Sequence, residues 1–167
     1  MATVRTSLSH RSTRRLQRGA FALLAGAGIV LTPAVAQAST APVAPTAVAP
    51  ATTAAAQTAV NTAMAQLGKP YGWGATGPNS FDCSGLTSFS YRAAGITLPR
   101  TTGAQANVGA PVARGNVQPG DLVFFYNGGH VGIYVGNNQV VHAPTAGDVV
   151  KVTNMNYMTF SSARRVA

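Results

Sequence analysis

The stretch Phe81-Asp82-Cys83-Ser84-Gly85-Leu86, continuing through Phe89, Ser90 and Ala93 to Gly95, decides how this chain is read. Leu86, Phe89, Ser90 and Ala93 recur at three- and four-residue spacing, which predicts a helix over residues 83–94 with Gly95 as its stop. Cys83 then lies in the first helical turn. Unpaired backbone N–H groups and the helix dipole at that end stabilise a thiolate, the form of cysteine that attacks carbonyls. Cys83 is the only cysteine among 167 residues, so it forms no intrachain disulfide and serves either as a small buried side chain or as a working thiol. Two downstream histidines, His130 and His142, favour the working thiol. Asp82, directly ahead of the helix, is a favoured N-cap residue, and recognition of a substrate group competes with that role for both Asp82 and Ser84.

Upstream, Val60, Ala63, Met64 and Leu67 predict a first helix over residues 57–67, closed by Gly68-Lys69-Pro70, and a glycine-rich loop follows to Asp82. Downstream, a short helix is expected from Arg100 to Val108, and then the period changes to two. Residues 122–126, 130–135, 139–143, 149–152 and 159–166 read as strands separated by Asn- and Gly-rich turns. Helices first and strands after them imply an α+β domain with an antiparallel sheet.

Hairpin register links this fold to chemistry. A plain two-residue turn at Asn137-Asn138 places His142 opposite Ile133, on the other face from His130. A three-residue loop, 136–138, with Asn138 left-handed and a bulge, sets His142 opposite Gly132 and diagonal to His130. Diagonal neighbours lie about 7 Å apart, and Gly132 leaves room between them. The bulged three-residue loop is the expectation.

The N-terminal third has a different character. Arg5, Arg11, Arg14, Arg15 and Arg18 precede a short apolar run over residues 19–32 and a small-x-small site at Ala36-Gln37-Ala38, the pattern of an export signal over residues 1–38, cleaved before Ser39. The run is too short for a membrane anchor. Arg14-Arg15 leaves the twin-arginine route open beside the general secretory one. Residues 39–56 are nearly all Ala, Pro, Thr and Val, without aromatics or charge, and read as a spacer, so the domain is expected over residues 57–167. Without the signal, seven Lys and Arg stand against three Asp, a net charge of +4. This mild excess suits anionic wall polymers but lacks the dense basic stripe of a nucleic-acid binder.

Five blocks in order carry a family resemblance: Pro70-Tyr71-Gly72-Trp73-Gly74; Phe81 to Leu86; Leu98-Pro99-Arg100-Thr101-Thr102 with Gln105; Pro119-Gly120-Asp121-Leu122-Val123-Phe124-Phe125; and His130-Val131-Gly132-Ile133-Tyr134-Val135-Gly136. Over residues 57–165 the chain resembles the NlpC-type papain-like cysteine peptidases of bacterial cell walls. The resemblance implies Cys83 as nucleophile, His130 as base and His142 as the residue orienting the His130 ring. It brings Tyr71 to the active site, where its hydroxyl would donate to the oxyanion, with core packing as the competing reading, and assigns substrate recognition to Asp82 and Ser84. Arg100 would meet either the sheet or a substrate carboxylate, and Trp73 would be structural or a wall of the groove. The substrate it implies is a peptidoglycan stem peptide, cut between γ-D-glutamate and diaminopimelate or lysine. An amidase or acyltransferase of the same superfamily would keep the same Cys83 and His130, and a noncatalytic wall-binding module would keep only the fold. The sequence contains no HExxH pattern, paired cysteine spacing, phosphate loop or dinucleotide fingerprint, so no metal or cofactor is expected. A secreted, wall-associated monomer is the expectation.

Overall fold

The computed structural model describes residues 52–167, so the expected signal and most of the spacer lie outside the described residues. Helix α1 spans Ala54–Met64 and starts three residues ahead of the expected domain edge at Gln57. The reason is local: Thr53 is a good N-cap, its Oγ1 accepting from Ala56 N at 3.1 Å, and the alanines behind it are strong helix formers. Helix α2 (Cys83–Ala93) and the short α3 (Thr102–Gln105) follow. The strands are β1 (Ala110–Pro111), β2 (Leu122–Phe125), β3 (His130–Gly136), β4 (Gln139–His142), β5 (Lys151–Asn154) and β6 (Phe160–Arg165). They form one antiparallel sheet in the order β1-β6-β2-β3-β4-β5. The fold is α+β, with helices packed on the sheet. No helix among the described residues is long and apolar enough to cross a membrane.

Strand β2 lies at the centre of this packing because it is buried on both faces. Leu122 and Phe124 join Val131, Ile133 and Val141 beneath Ala59 and Ala63 of α1 and Leu86 and Tyr91 of α2. Val123 and Phe125 join Val140, Met155, Met158 and Ala163 on the opposite face. A continuous apolar run is what such a strand requires, whereas β4 buries only its two central valines and ends in polar His142. Behind the sheet, Arg165 of β6 grips buried Asp121 through two 2.8 Å hydrogen bonds, and Tyr91 of α2 donates to the Gly120 carbonyl. The Pro119-Gly120-Asp121 block is therefore a joint between helix layer and sheet.

The β3–β4 hairpin corrects the expected loop but keeps its outcome. Gly136 pairs with Gln139 across a two-residue turn, and both Asn137 (φ 51°) and Asn138 (φ 59°) are left-handed, as a type I′ turn demands. The extra residue sits one step earlier: Tyr134 pairs with Val140, leaving Val135 as a bulge. The bulge displaces the register by one, so Ile133 meets Val141 and His142 falls beside Gly132. Strand β5 also begins two residues later than the expected 149–152.

Candidate active site

Asp82 is the N-cap of α2, its Oδ1 accepting from Gly85 N at 2.7 Å. The cap fixes where the helix starts and so puts Cys83 at its first position. A Cβ on Gly85 would stand 2.1 Å from the Ala75 carbonyl oxygen, so the glycine lets the preceding loop fold over the helix start. The remaining acceptor capacity of Asp82 is also taken. Oδ2 accepts from Gly74 N at 3.0 Å, and Arg100 makes a two-pronged ion pair, Nη2 to Oδ2 at 2.6 Å and Nη1 to Oδ1 at 3.1 Å. Arg100 Nη1 also donates to Ser84 Oγ at 2.9 Å. Asp82 and Ser84 are buried while the Arg100 side chain stays 41% exposed, so the guanidinium is the member of this cluster that faces solvent. Gln105, fully buried, donates to the Ser84 and Pro99 carbonyls and accepts from Thr87 Oγ1, tying α3 to the first turn of α2.

The Cys83 thiol is half-buried and lies 3.4 Å from Thr102 Oγ1. No hydrogen bond joins it to either histidine. Tyr71, Trp73, Arg100 and Gly129 line the same cleft, of about 420 Å³. The Tyr71 hydroxyl is held above its ordinary pKa by partial burial and then by the neighbouring Cys83 and Asp82, so it stays a proton donor. Trp73 is 91% exposed and is a wall of this cleft rather than core.

The two histidines form the other half. The turn delivering His130 holds Tyr126 (φ 52°) and Asn127 (φ 56°) in the left-handed region, a strain that non-glycine residues adopt when surroundings impose it. His130 opens β3 opposite Phe125. Its Nε2 lies 2.8 Å from His142 Nδ1, the rings meeting edge-on at 80°, and His142 Nε2 lies 2.9 Å from Thr153 Oγ1 of β5. A Cβ on Gly132 would approach His142 Cβ to 3.2 Å and the Val141 carbonyl to 3.0 Å, so glycine there lets the two rings meet. Burial pushes both imidazoles from their ordinary 6.5 down to about 4, with His130 and Lys151 adding to the effect on His142. Both rings are therefore neutral at neutral pH. Two proton orders satisfy both contacts; in the one where Nε2–H of His130 donates to His142 Nδ1 and Nε2–H of His142 donates to Thr153 Oγ1, Nδ1 of His130 carries no proton and can accept one.

The histidines line a second cleft, of about 510 Å³, and Gly129 borders both clefts. Thus Cys83, Tyr71, Asp82, Ser84 and Arg100 gather in one place, His130 and His142 in the adjoining one. Sequence reasoning missed Thr153, because a strand expected at residues 149–152 stops short of it. Its signal was a threonine on the inward face of β5, opposite Val140.

Comparison with known proteins agrees with this architecture. The profile of the NlpC/P60 family matches residues 68–165. A probable endopeptidase of Corynebacterium glutamicum is 48% identical over 140 residues, covering 83% of this chain and 62% of that one. The structure of NlpC2 from Trichomonas vaginalis superposes with a TM-score of 0.63 at 35% identity, over 70% of this chain and 48% of that one. The NlpC/p60 domain of the peptidoglycan hydrolase SagA does so with a TM-score of 0.63 at 32% identity, over 66% of this chain and 98% of that domain. The chain spans about three fifths of the length of the Corynebacterium relative. With helices packed on a six-stranded sheet and a profile match running from just past α1 through β6, the chain belongs to the NlpC/P60 family.

Proposed function

We propose that this protein is an exported cysteine peptidase that hydrolyses amide bonds in peptidoglycan stem peptides, at the γ-D-glutamyl bond to diaminopimelate or lysine. The observation that carries the reading is the His130–His142–Thr153 chain beside a cysteine at a helix N-terminus. The names borne by the relatives, an endopeptidase and a peptidoglycan hydrolase, support the same class.

In this mechanism neutral His130 takes the thiol proton on Nδ1, and Cys83 Sγ attacks the carbonyl carbon, forming the C–S bond. The developing oxyanion accepts from the backbone N–H of Cys83, which as the first helical residue has no partner within the helix, and from the Tyr71 hydroxyl. Collapse breaks the C–N bond while His130 returns its proton to the leaving amine. Water, deprotonated by His130, then cleaves the thioester. His142 holds the ring and its tautomer throughout, and Thr153 holds His142. Because the Asp82 acceptors are already engaged, Asp82 and Ser84 act as positioning residues. The substrate-facing group is Arg100, whose two remaining N–H groups suit the free α-carboxylate of a γ-linked glutamyl residue.

The test is digestion of purified muropeptides with fragments identified by mass spectrometry. The native enzyme releases fragments ending at γ-D-glutamate, and Cys83→Ala, which folds normally, releases none. Retained turnover by Cys83→Ala would end the cysteine mechanism, and a different cleaved bond would end the substrate assignment.

A further inference from the structure

The direction in which a substrate lies across the site follows from proton transfer. The leaving amine collects its proton from His130, so the amine side of the scissile bond lies over His130, and the acyl side stays with Cys83 and Arg100. The amine side therefore enters the cleft of about 510 Å³ lined by His130 and His142. Tyr126 (53% exposed) and Tyr157 (83% exposed) stand open to solvent in its lining, and Lys151 is the one lining residue with a formal charge while the histidines are neutral. Lys151 pairs directly with His142 across β4 and β5, so its side chain leaves the sheet on the histidine face. Its partner is Asp148, three residues earlier; both side chains are open to solvent, and water and salt screen a pair of this kind so that it holds only weakly. Asp148 is not part of the lining. A substrate carboxylate entering the cleft can displace it.

Resting on the stem-peptide reading above, we propose that Lys151 is a specificity-determining residue that selects a leaving-side residue whose side chain ends in a carboxylate. Diaminopimelate has such a terminus. That carboxylate sits beside the terminal ammonium; lysine carries the ammonium alone, and an amidated diaminopimelate loses the carboxylate and keeps the ammonium, so both present Lys151 with a positive end and no acceptor of matching charge. The cleft is thus a charge filter on the amine side, distinct from Arg100, which meets the acyl side.

The experiment compares kcat/KM on three stem peptides differing only at the third residue: diaminopimelate, its amide, and lysine. The native enzyme favours the acid over the amide by about five- to tenfold, the range of one charge-assisted hydrogen bond partly open to water. Lys151→Met brings that ratio to within about twofold, Lys151→Glu inverts it in favour of the amide and, alongside it, lysine, and Asp148→Asn, which frees Lys151, raises it. Any effect of these changes on His142 cancels, because each ratio compares two substrates on one enzyme. An acid-to-amide ratio of one in the native protein, or a ratio unmoved by Lys151→Met, overturns the filter while leaving stem-peptide hydrolysis standing. Failure of the native enzyme to cut any of the three overturns both.

Discussion

The two halves of the site are held by opposite physics. Around Cys83, charge does the holding: Asp82 accepts from Gly85, Gly74 and both nitrogens of the Arg100 fork, and Ser84 and Gln105 complete a polar lattice at the helix start. Around His130 a single file of neutral groups runs to Thr153, set by strand register and burial. A lattice with several partners per residue tolerates loss of one of them. A single file does not, and in the proposed mechanism this file is what holds the His130 ring.

The contrast predicts its own breaking points. His142→Ala removes the only partner of His130 Nε2, and kcat should fall by about 10²- to 10⁴-fold with the circular dichroism spectrum unchanged; Asn should restore part of it. A loss below threefold would show that the ring is held by packing alone.

Acid should act on the histidine half next. Both rings titrate near 4 in the folded protein and near 6.5 when unfolded, so the unfolded chain binds more protons between those values. Stability is thus full above pH 6.5 and lost as the pH falls towards 4. At pH 5 the loss is on the order of 2 kcal/mol for each ring relative to pH 7.5. Thermal melts at the two pH values should differ by several degrees, and His142→Asn should shrink the gap. An unchanged gap in that variant would place the acid sensitivity elsewhere.

Asp82→Ala should have the smallest effect. It removes the α2 cap and the anchor of Arg100, costing about 1 kcal/mol and a few degrees of Tm, because exposed Arg100 finds water in its place. Asp82→Asn, which still caps, should recover most of that stability. Equal melting of the native and Ala forms would mean that the lattice is redundant at its centre.

These halves were also unequally legible in the sequence. The start of α2 depends on neighbours in the chain, and the cap, the helical stripe and the glycine stop are all local signals, so its bounds differ from the expected 83–94 by one residue. What Asp82 pairs with was not legible, since Arg100 arrives from 18 residues away. In the hairpin, the face of His142 was reached by reasoning from parity, yet the device was misplaced: two adjacent asparagines both turned left-handed, and the bulge moved to Val135. Both arrangements give the same register, so the requirement that the histidines meet does not discriminate between them. Strand β5 slid by two because its inward face is polar, offering Thr153 to His142 where an apolar pattern was sought.

The bulge at Val135 has a consequence for which changes of length the hairpin survives. Because Val135 is supernumerary, deleting it alone turns the hairpin into a regular one and leaves Tyr134 opposite Val140 and Gly132 beside His142. Deleting Asn138 as well forces the turn back by one residue and brings His142 opposite Val131, whose side chain lies on the other face. The first deletion should keep turnover and the second abolish it, although the second removes only one more residue of the turn. Activity assays on the pair, with melting curves to confirm that both fold, decide this, and an active double deletion would refute it. The spare residue gives the hairpin an allowance of a single deletion before the two histidines part.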